Sequence, residues 1–290
     1  MRKNRRRLRL ALATGLLIAV GVAWWIFHPV GPQSRLIELY YSDPQAMFLV
    51  PVTETFSVSG KTGPETVVSV VKALARPPKG LFAAVPADAS PSAFVKDKVA
   101  TVTLALSPTG AGSEQLMANA LAKAVGHLPD IEQVRLVLKD SQGRDFPSEH
   151  LDLAVPLRAD DPERENSWQA YGPSARVYWS TTDGTYLVPL QIPLEKQDAS
   201  RPMESAFKTL LAGPASLQCA FLNPSIPSSV KPSFLGIREG IAEIRPGGTL
   251  PETAKRAIVL TLTEFNSVKA VHFEGEQENL PRPLWINKTP

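Results

Sequence analysis

Apolar and polar residues alternate with a strand period from Leu36 to Tyr41, and a second strand pattern runs from Phe48 to Val58. Pro51 inside that second run points to an edge strand or a bulge, because it has no amide to give to a neighbour. The period then changes. Val67, Val68, Val71 and Leu74 fall on one helical face, behind a start signal in which Thr62 is placed to cap, Pro64 presets the first turn and Glu65 stands three residues after Thr62. Pro77-Pro78 ends this helix. A strand pair follows, Phe94 to Val95 with Val99 to Leu106. Leu116, Met117, Ala120, Leu121, Ala124 and Val125 then share the face of a second helix, and Val134 to Leu138 closes the series as a strand.

The same series is written a second time. Tyr40-Tyr41-Ser42 and Phe48-Leu49-Val50-Pro51-Val52 answer Tyr178-Trp179-Ser180 and Tyr186-Leu187-Val188-Pro189-Leu190 without a gap, at an offset of 138. Further on, Leu74-Ala75-Arg76-Pro77 answers Leu211-Ala212-Gly213-Pro214, Val99 to Val102 answers Ile241 to Ile244, and Leu128 to Val137 answers Phe265 to Glu274. The offset drifts only between 137 and 142. Asp183-Gly184 supplies a hairpin signal between the first two strands of the second copy. Met203, Phe207, Leu210 and Leu211 form one helical face there, and Ala254, Ile258, Thr261, Leu262 and Phe265 another. A repeat this long is one domain, not a solenoid unit. The predicted fold is α+β: two tandem copies of a β-β-α-β-β-α-β domain, each a small sheet with two helices on one face. The copies span 36–157 and 175–275, with a polar linker at 158–174 and a Pro-rich tail at 276–290 in which Leu284-Trp285-Ile286 is a candidate for docking back.

The beginning of the chain is unlike the rest. Residues 1–9 carry a basic cluster that includes Arg5, Arg6 and Arg7, and residues 10–27 are apolar or small without a charge. About 18–20 such residues cross a bilayer's hydrocarbon core as a helix, so 10–27 is expected to span a membrane. Trp24 and Trp25 sit where an interfacial aromatic belt belongs, and the arginines keep the first nine residues cytoplasmic, leaving both domains outside. Cleavage as a signal peptide is disfavoured, since bulky residues occupy the place where a peptidase needs small ones.

Charge adds little beyond that. The net charge of +3 belongs to the beginning: six of the 31 basic residues precede residue 10, leaving 25 against 28 acidic ones. That balance gives no electrostatic footprint for nucleic acid. Cys219 is the single cysteine, which excludes an intrachain disulfide and a cysteine-based zinc site.

Leu210-Leu211-Ala212-Gly213-Pro214, the run from Ile258 to Phe265, and Val268-Lys269-Ala270-Val271 resemble the GerMN domain of sporulation and spore germination proteins. Leu210, Leu211, Gly213, Pro214, Leu262 and Val271 carry the motif as core and turn residues. The resemblance covers most of the chain from Leu36 to Gly275. It implies an envelope role in sporulation and domains similar to the ring-building folds of secretion systems, with no catalytic residue to carry over. The first copy departs from the motif, with Ala75-Arg76-Pro77 in place of Ala212-Gly213-Pro214. A two-domain member of the family is similar to a lipoprotein, whereas this chain has no cysteine near its apolar segment and must rely on the helix.

Other chemistry is sparse. Ser69-Val70-Val71-Lys72 and Lys61-Thr62-Gly63 imitate two signatures of penicillin-recognising enzymes, but in reversed order and almost adjacent. His28, His127, His150 and His272 never stand at metal-ligand spacing, and His127 at a helix end reads as a surface residue. No catalytic, cofactor or metal residues are expected. The leading expectation is a membrane-held, non-enzymatic scaffold that binds other envelope proteins. A module that binds a cell-wall ligand such as peptidoglycan is the alternative, with Tyr40, Tyr41, Tyr178 and Trp179 as interaction candidates. A wall hydrolase ranks third, and homo-oligomers are compatible with the exposed sheet edges that duplication creates.

Overall fold

A computed structural model describes residues 33–58, 62–106, 114–145, 148, 151–161, 166, 174–194, 201–214 and 220–288. The expected spanning segment at 10–27, with Arg5, Arg6, Arg7, Trp24 and Trp25, lies outside the described residues. No helix among the described residues is long and apolar enough to cross a membrane.

In chain order the first copy runs β1 (Gln33–Ser42), β2 (Leu49–Val58), α1 (Pro64–Leu74), β3 (Ser90–Lys96), β4 (Val99–Ala105), α2 (Glu114–Gly126) and β5 (Gln133–Lys139). The second runs β6 (Ser174–Thr181), β7 (Leu187–Pro193), α3 (Pro202–Ala212), a two-residue β8 (Leu222–Asn223), β9 (Ser233–Arg238), β10 (Ile241–Arg245), α4 (Glu252–Leu262), β11 (Ala270–Phe273) and β12 (Asn279–Pro281). Among the described residues, the strands and helices expected of the two domains are present, in the expected order, twice.

The layering differs from a single sheet with helices on one face. In each copy the first hairpin stands apart from the later strands: β1-β2 and β3-β4-β5 are separate sheets, as are β7-β6-β8 and β12-β11-β10-β9. The helices lie between them, α1 and α2 packing on β1 as well as on the second sheet, and α4 on both β6 and β11. Helix composition explains this. In α2, Met117, Ala118, Ala120, Leu121, Ala122, Ala124 and Val125 are all buried, which is more than one stripe. A helix buried on two sides serves two apolar layers, and its alanines let the second layer approach.

Each second sheet is a β-β-α-β unit. β3 pairs antiparallel with β4, and β4 runs parallel to β5 after crossing over through α2; β9, β10, α4 and β11 repeat this. Both antiparallel turns have positive φ at their two central residues, Asp97 (49°) and Lys98 (65°) in one copy and Glu239 (55°) and Gly240 (82°) in the other. The turn geometry was therefore duplicated although no glycine marks it in the first copy. β12 adds a fourth strand to the second sheet, so residues 279–281 of the expected tail belong to the fold.

Two local expectations fail for identifiable reasons. Thr62 does not cap α1: Gly63 is the N-cap, its carbonyl accepts both the Thr66 and Val67 amides, and the buried Thr62 Oγ1 makes no hydrogen bond. Pro64 has no amide to satisfy, so the helix begins with one orphan donor fewer. In the first hairpin Ala46 takes a positive φ of 53° at the position where the second copy has Gly184 (71°). Asp43 holds that loop, its carboxylate accepting the amides of Gln45, Met47 and Phe48 at 3.0, 2.6 and 2.7 Å.

Gly213 ends α3 at φ 75°, ψ 179°, a region open essentially to glycine alone. A Cβ there would also lie 2.8 Å from Pro224 Cγ. Gly213→Ala is expected to destabilise the protein by about 2–4 kcal/mol in guanidinium unfolding, strain and clash together. Ala46→Gly relieves left-handed strain at an exposed loop and is expected to stabilise by up to about 1 kcal/mol, a rise of about 2–4 °C in thermal midpoint.

Candidate functional site

The two hairpins meet along the free edges of β2 and β7, each with a proline near its start. Pro51 pairs with Tyr40 and Pro189 with Tyr178, both prolines are buried, and each turns its nitrogen away from its own hairpin. A strand edge normally offers amides to its neighbour; here the central one is missing on both sides. Two asparagines bridge the edges instead. Asn166 Nδ2 donates to the carbonyls of Leu49 (2.6 Å) and Pro189 (2.9 Å), while its Oδ1 accepts the Leu49 amide (2.7 Å) and its backbone carbonyl the Gln191 amide (2.7 Å). Asn287 Nδ2 donates to the carbonyls of Pro51 (2.6 Å) and Leu187 (2.8 Å), while its Oδ1 accepts the Leu187 amide (2.7 Å) and its backbone carbonyl the Thr53 amide (2.7 Å).

The two sets are the same set with the copies exchanged, since Leu49, Pro51 and Thr53 correspond to Leu187, Pro189 and Gln191 at the offset of 138. Asparagine suits the task because its amide is a detached peptide group. It pairs with the N–H and C=O of one residue and has a second hydrogen for the strand opposite.

Above this seam lies a cleft of about 280 Å³. Leu49, Pro189 and Asn166 come from the seam, Glu38 and Tyr40 from β1, Arg176 from β6, Lys123 from α2, His127 from just beyond it, and residues 282–286 from the tail. The second copy's share is a closed network. Glu264, just beyond α4, accepts the Tyr178 hydroxyl and, at 2.6 and 3.5 Å, the guanidinium groups of Arg282 and Arg176. Arg282 also donates to Tyr178 Oη (3.1 Å) and to the Leu260 carbonyl (3.3 Å), which fastens the tail to α4. In the first copy Tyr40 donates instead to Glu38 (2.7 Å), its ring lies 6.4 Å from that of His127, and Lys123 Nζ stands 5.7 Å from its centroid.

The expected interaction aromatics are placed differently from a binding surface. Tyr41, Tyr178 and Trp179 are buried in the core, because each first strand is covered on both faces. Only Tyr40, 8 % exposed, reaches the cleft. The family-motif residues are structural: Leu210, Leu262 and Val271 are core, Gly213 and Pro214 form the buried helix end, and Leu211 packs half-buried against the core. Ser69 donates its hydroxyl to the Glu65 carbonyl and is exposed. Among the described residues no three His, Cys, Asp or Glu side chains are grouped to hold a metal. Asn166 and Asn287 went unread in the sequence. They follow the last matched strands by unequal spacings, 27 residues after Lys139 and 14 after Phe273, with no shared neighbours to mark them.

The fold and seam define a tandem α+β protein whose two domains are joined edge to edge. The profile of the Germane family, described as sporulation and spore germination, matches twice, over residues 38–142 and 176–280, and the chain belongs to that family. The tandem GerMN domains of the sporulation protein GerM from Bacillus subtilis are similar in structure, with a TM-score of 0.58 at 20% identity, over 89% of this chain and 100% of that one. The first GerMN domain of the same protein matches 44% of this chain and 99% of its own at 18% identity, with a TM-score of 0.31. No curated protein matches the chain in sequence.

Asn287 is almost fully buried, so Asn287→Ala strands three backbone groups and is expected to cost about 2–4 kcal/mol. Asn166 is half-buried and Asn166→Ala is expected to cost less, since water reaches part of the gap. The double variant is expected to unfold in two guanidinium transitions, one per domain, followed by far-UV circular dichroism.

Burial first, and the Glu264 carboxylate next, push the Tyr178 hydroxyl well above its usual range; burial first, and the hydrogen bond to Glu54 next, do the same for Tyr41. Unfolded tyrosine loses its proton near pH ~10, while these folded ones keep theirs. Their contribution to stability is thus complete below that pH and lost as pH rises beyond it. Urea midpoints measured from pH 7 to 11 are expected to fall above pH ~10, and less steeply in Tyr178→Phe.

Proposed function

We propose that the chain is a membrane-anchored, extracytoplasmic interaction protein of the cell envelope in sporulation or germination, working by docking and not by catalysis. The single observation that carries this reading is a pair of sheet edges, unpaired among the described residues and dressed with apolar side chains. β3 is an edge of its sheet and β9 of its own. Phe94 is 60% exposed on β3, and Leu235 and Ile237 are 45% and 44% exposed on β9. An uncovered edge with large apolar residues invites strand addition by a partner. The asparagine seam supports the reading too, because it joins the two edges into one body that can grip a partner at two points. Family membership supports the setting.

Photo-crosslinkable residues placed at 94 and 237 in the full chain test the docking. Crosslinks to envelope proteins in sporulating cells are expected from both sites and none from exposed position 245. Their absence throughout sporulation and germination counts against the reading. The anchor has its own check. The full chain is expected to stay with membranes through an alkaline carbonate wash, and a chain lacking residues 1–29 to be released.

A further inference from the structure

The two copies differ where their first helices end. At the repeat offset Lys72 answers Thr209, and Arg76 answers Gly213. In the second copy that place is packed shut: Gly213 and Pro214 are buried, and Pro224 Cγ lies 2.8 Å from where a Gly213 Cβ would stand. In the first copy it opens as a groove of about 400 Å³. Val71 and Val85, both buried, give it an apolar floor. Lys72 and Arg76 line it from α1 and its end, and Ser90 and Pro91 from the start of β3. Both cations are exposed, and among the described residues neither side chain has an ion pair. From Lys72 to Lys96 the chain carries four basic residues and one acid, Asp88, which lies outside the lining. The flanking stretches 59–61 and 107–113 add no acid. Lys72, in the last turn, complements the carbonyl end of the helix. Arg76 follows the C-cap, where the helix needs no second cation.

The groove also continues the β3 edge. A two-residue turn, Asp97-Lys98, joins β3 to β4, so Lys96 and Val99 form a hydrogen-bonded pair. By alternation Val95, Ala93 and Pro91 turn their backbone groups to the outer side of the sheet. Val95 and Ala93 can exchange bonds with an added strand, but Pro91 has no amide and pairing stops there. Pro91 is also where the groove begins. We propose that the partner taken up at β3 is an extended peptide segment with an acidic end. Its apolar strand residues lie beside Phe94, and about three or four residues further on, at about 3.3 Å each, its carboxylates lie between Lys72 and Arg76. The inference rests on the docking reading and adds the chemistry of the partner to it. Thr209 and the closed Gly213 site leave the β9 edge without this selectivity, so the duplicated edges take different segments.

Fluorescence anisotropy on the full chain in detergent compares three labelled peptides, each Thr-Val-Thr-Val-Thr-Val followed by four Glu, four Gln or four Lys. The Glu peptide is expected to bind with a Kd on the order of 100 μM, the Gln peptide about tenfold more weakly, and the Lys peptide not measurably. Salt at about 0.5 M is expected to bring the Glu peptide down to the affinity of the Gln peptide. Lys72→Gln and Arg76→Gln, both at exposed positions, are each expected to weaken the Glu peptide about threefold. Together they are expected to abolish its preference and leave the Gln peptide unchanged. Phe94→Ser is expected to weaken both peptides alike, and Lys208→Gln, exposed on α3, to change neither. Equal affinity for the Glu and Gln peptides overturns the acidic assignment and leaves strand docking in place. A preference that survives the double variant, or tetraglutamate binding as tightly as the full Glu peptide, overturns it too. Binding of no peptide up to about 1 mM also sinks the inference, whereas docking itself is judged by the crosslinks from position 94.

Discussion

Two backbone amides are missing at the centre of this protein, and the joining of its halves depends on what replaces them. Pro51 and Pro189 leave their strand edges unable to zip together as a continuous sheet. The carbonyls that remain are buried, and a buried carbonyl without a donor is costly. Asn166 and Asn287 meet this demand with side-chain amides, each spanning both copies. Each edge is thus closed to foreign strands at the seam, while among the described residues β3 and β9 remain the outer strands of their sheets.

Because each asparagine lies after the domain whose fold it follows, the segment between the copies and the tail both become structural. Leu157 pairs with Val134, and Ala159 packs against Gly126 at the end of α2, 2.9 Å from where a Cβ would stand. Arg282 and Arg256 hold the tail against α4, the latter through the Trp285 carbonyl (3.1 Å). These attachments form the walls of the cleft.

Much of the fold was legible in the sequence. Alternation at Leu36 to Tyr41, helical faces at Val67 to Leu74 and Leu116 to Val125, and the hairpin signal at Asp183-Gly184 are local patterns, and local patterns set local structure. Repetition turned those elements into a domain count. Tyr41, Tyr178 and Trp179 were misleading for a physical reason: an aromatic residue in a strand looks the same in sequence whether one face or both are covered. Thr62 misled because a capping signal depends on which carbonyl the first amides find, and Gly63 was nearer.

The sequence by itself determined the order of elements, their duplication, the family and the likeness between Pro51 and Pro189. These follow from short-range periodicity and from comparison of one half with the other. Tertiary structure alone decided that the hairpins separate from the later sheets, that Asn166 and Asn287 are partners across copies, and that His127 of the first copy and Arg176 of the second line one cleft. Those facts rest on contacts between residues far apart in the chain, such as Asn287 with Pro51, and no local pattern encodes a distance in space.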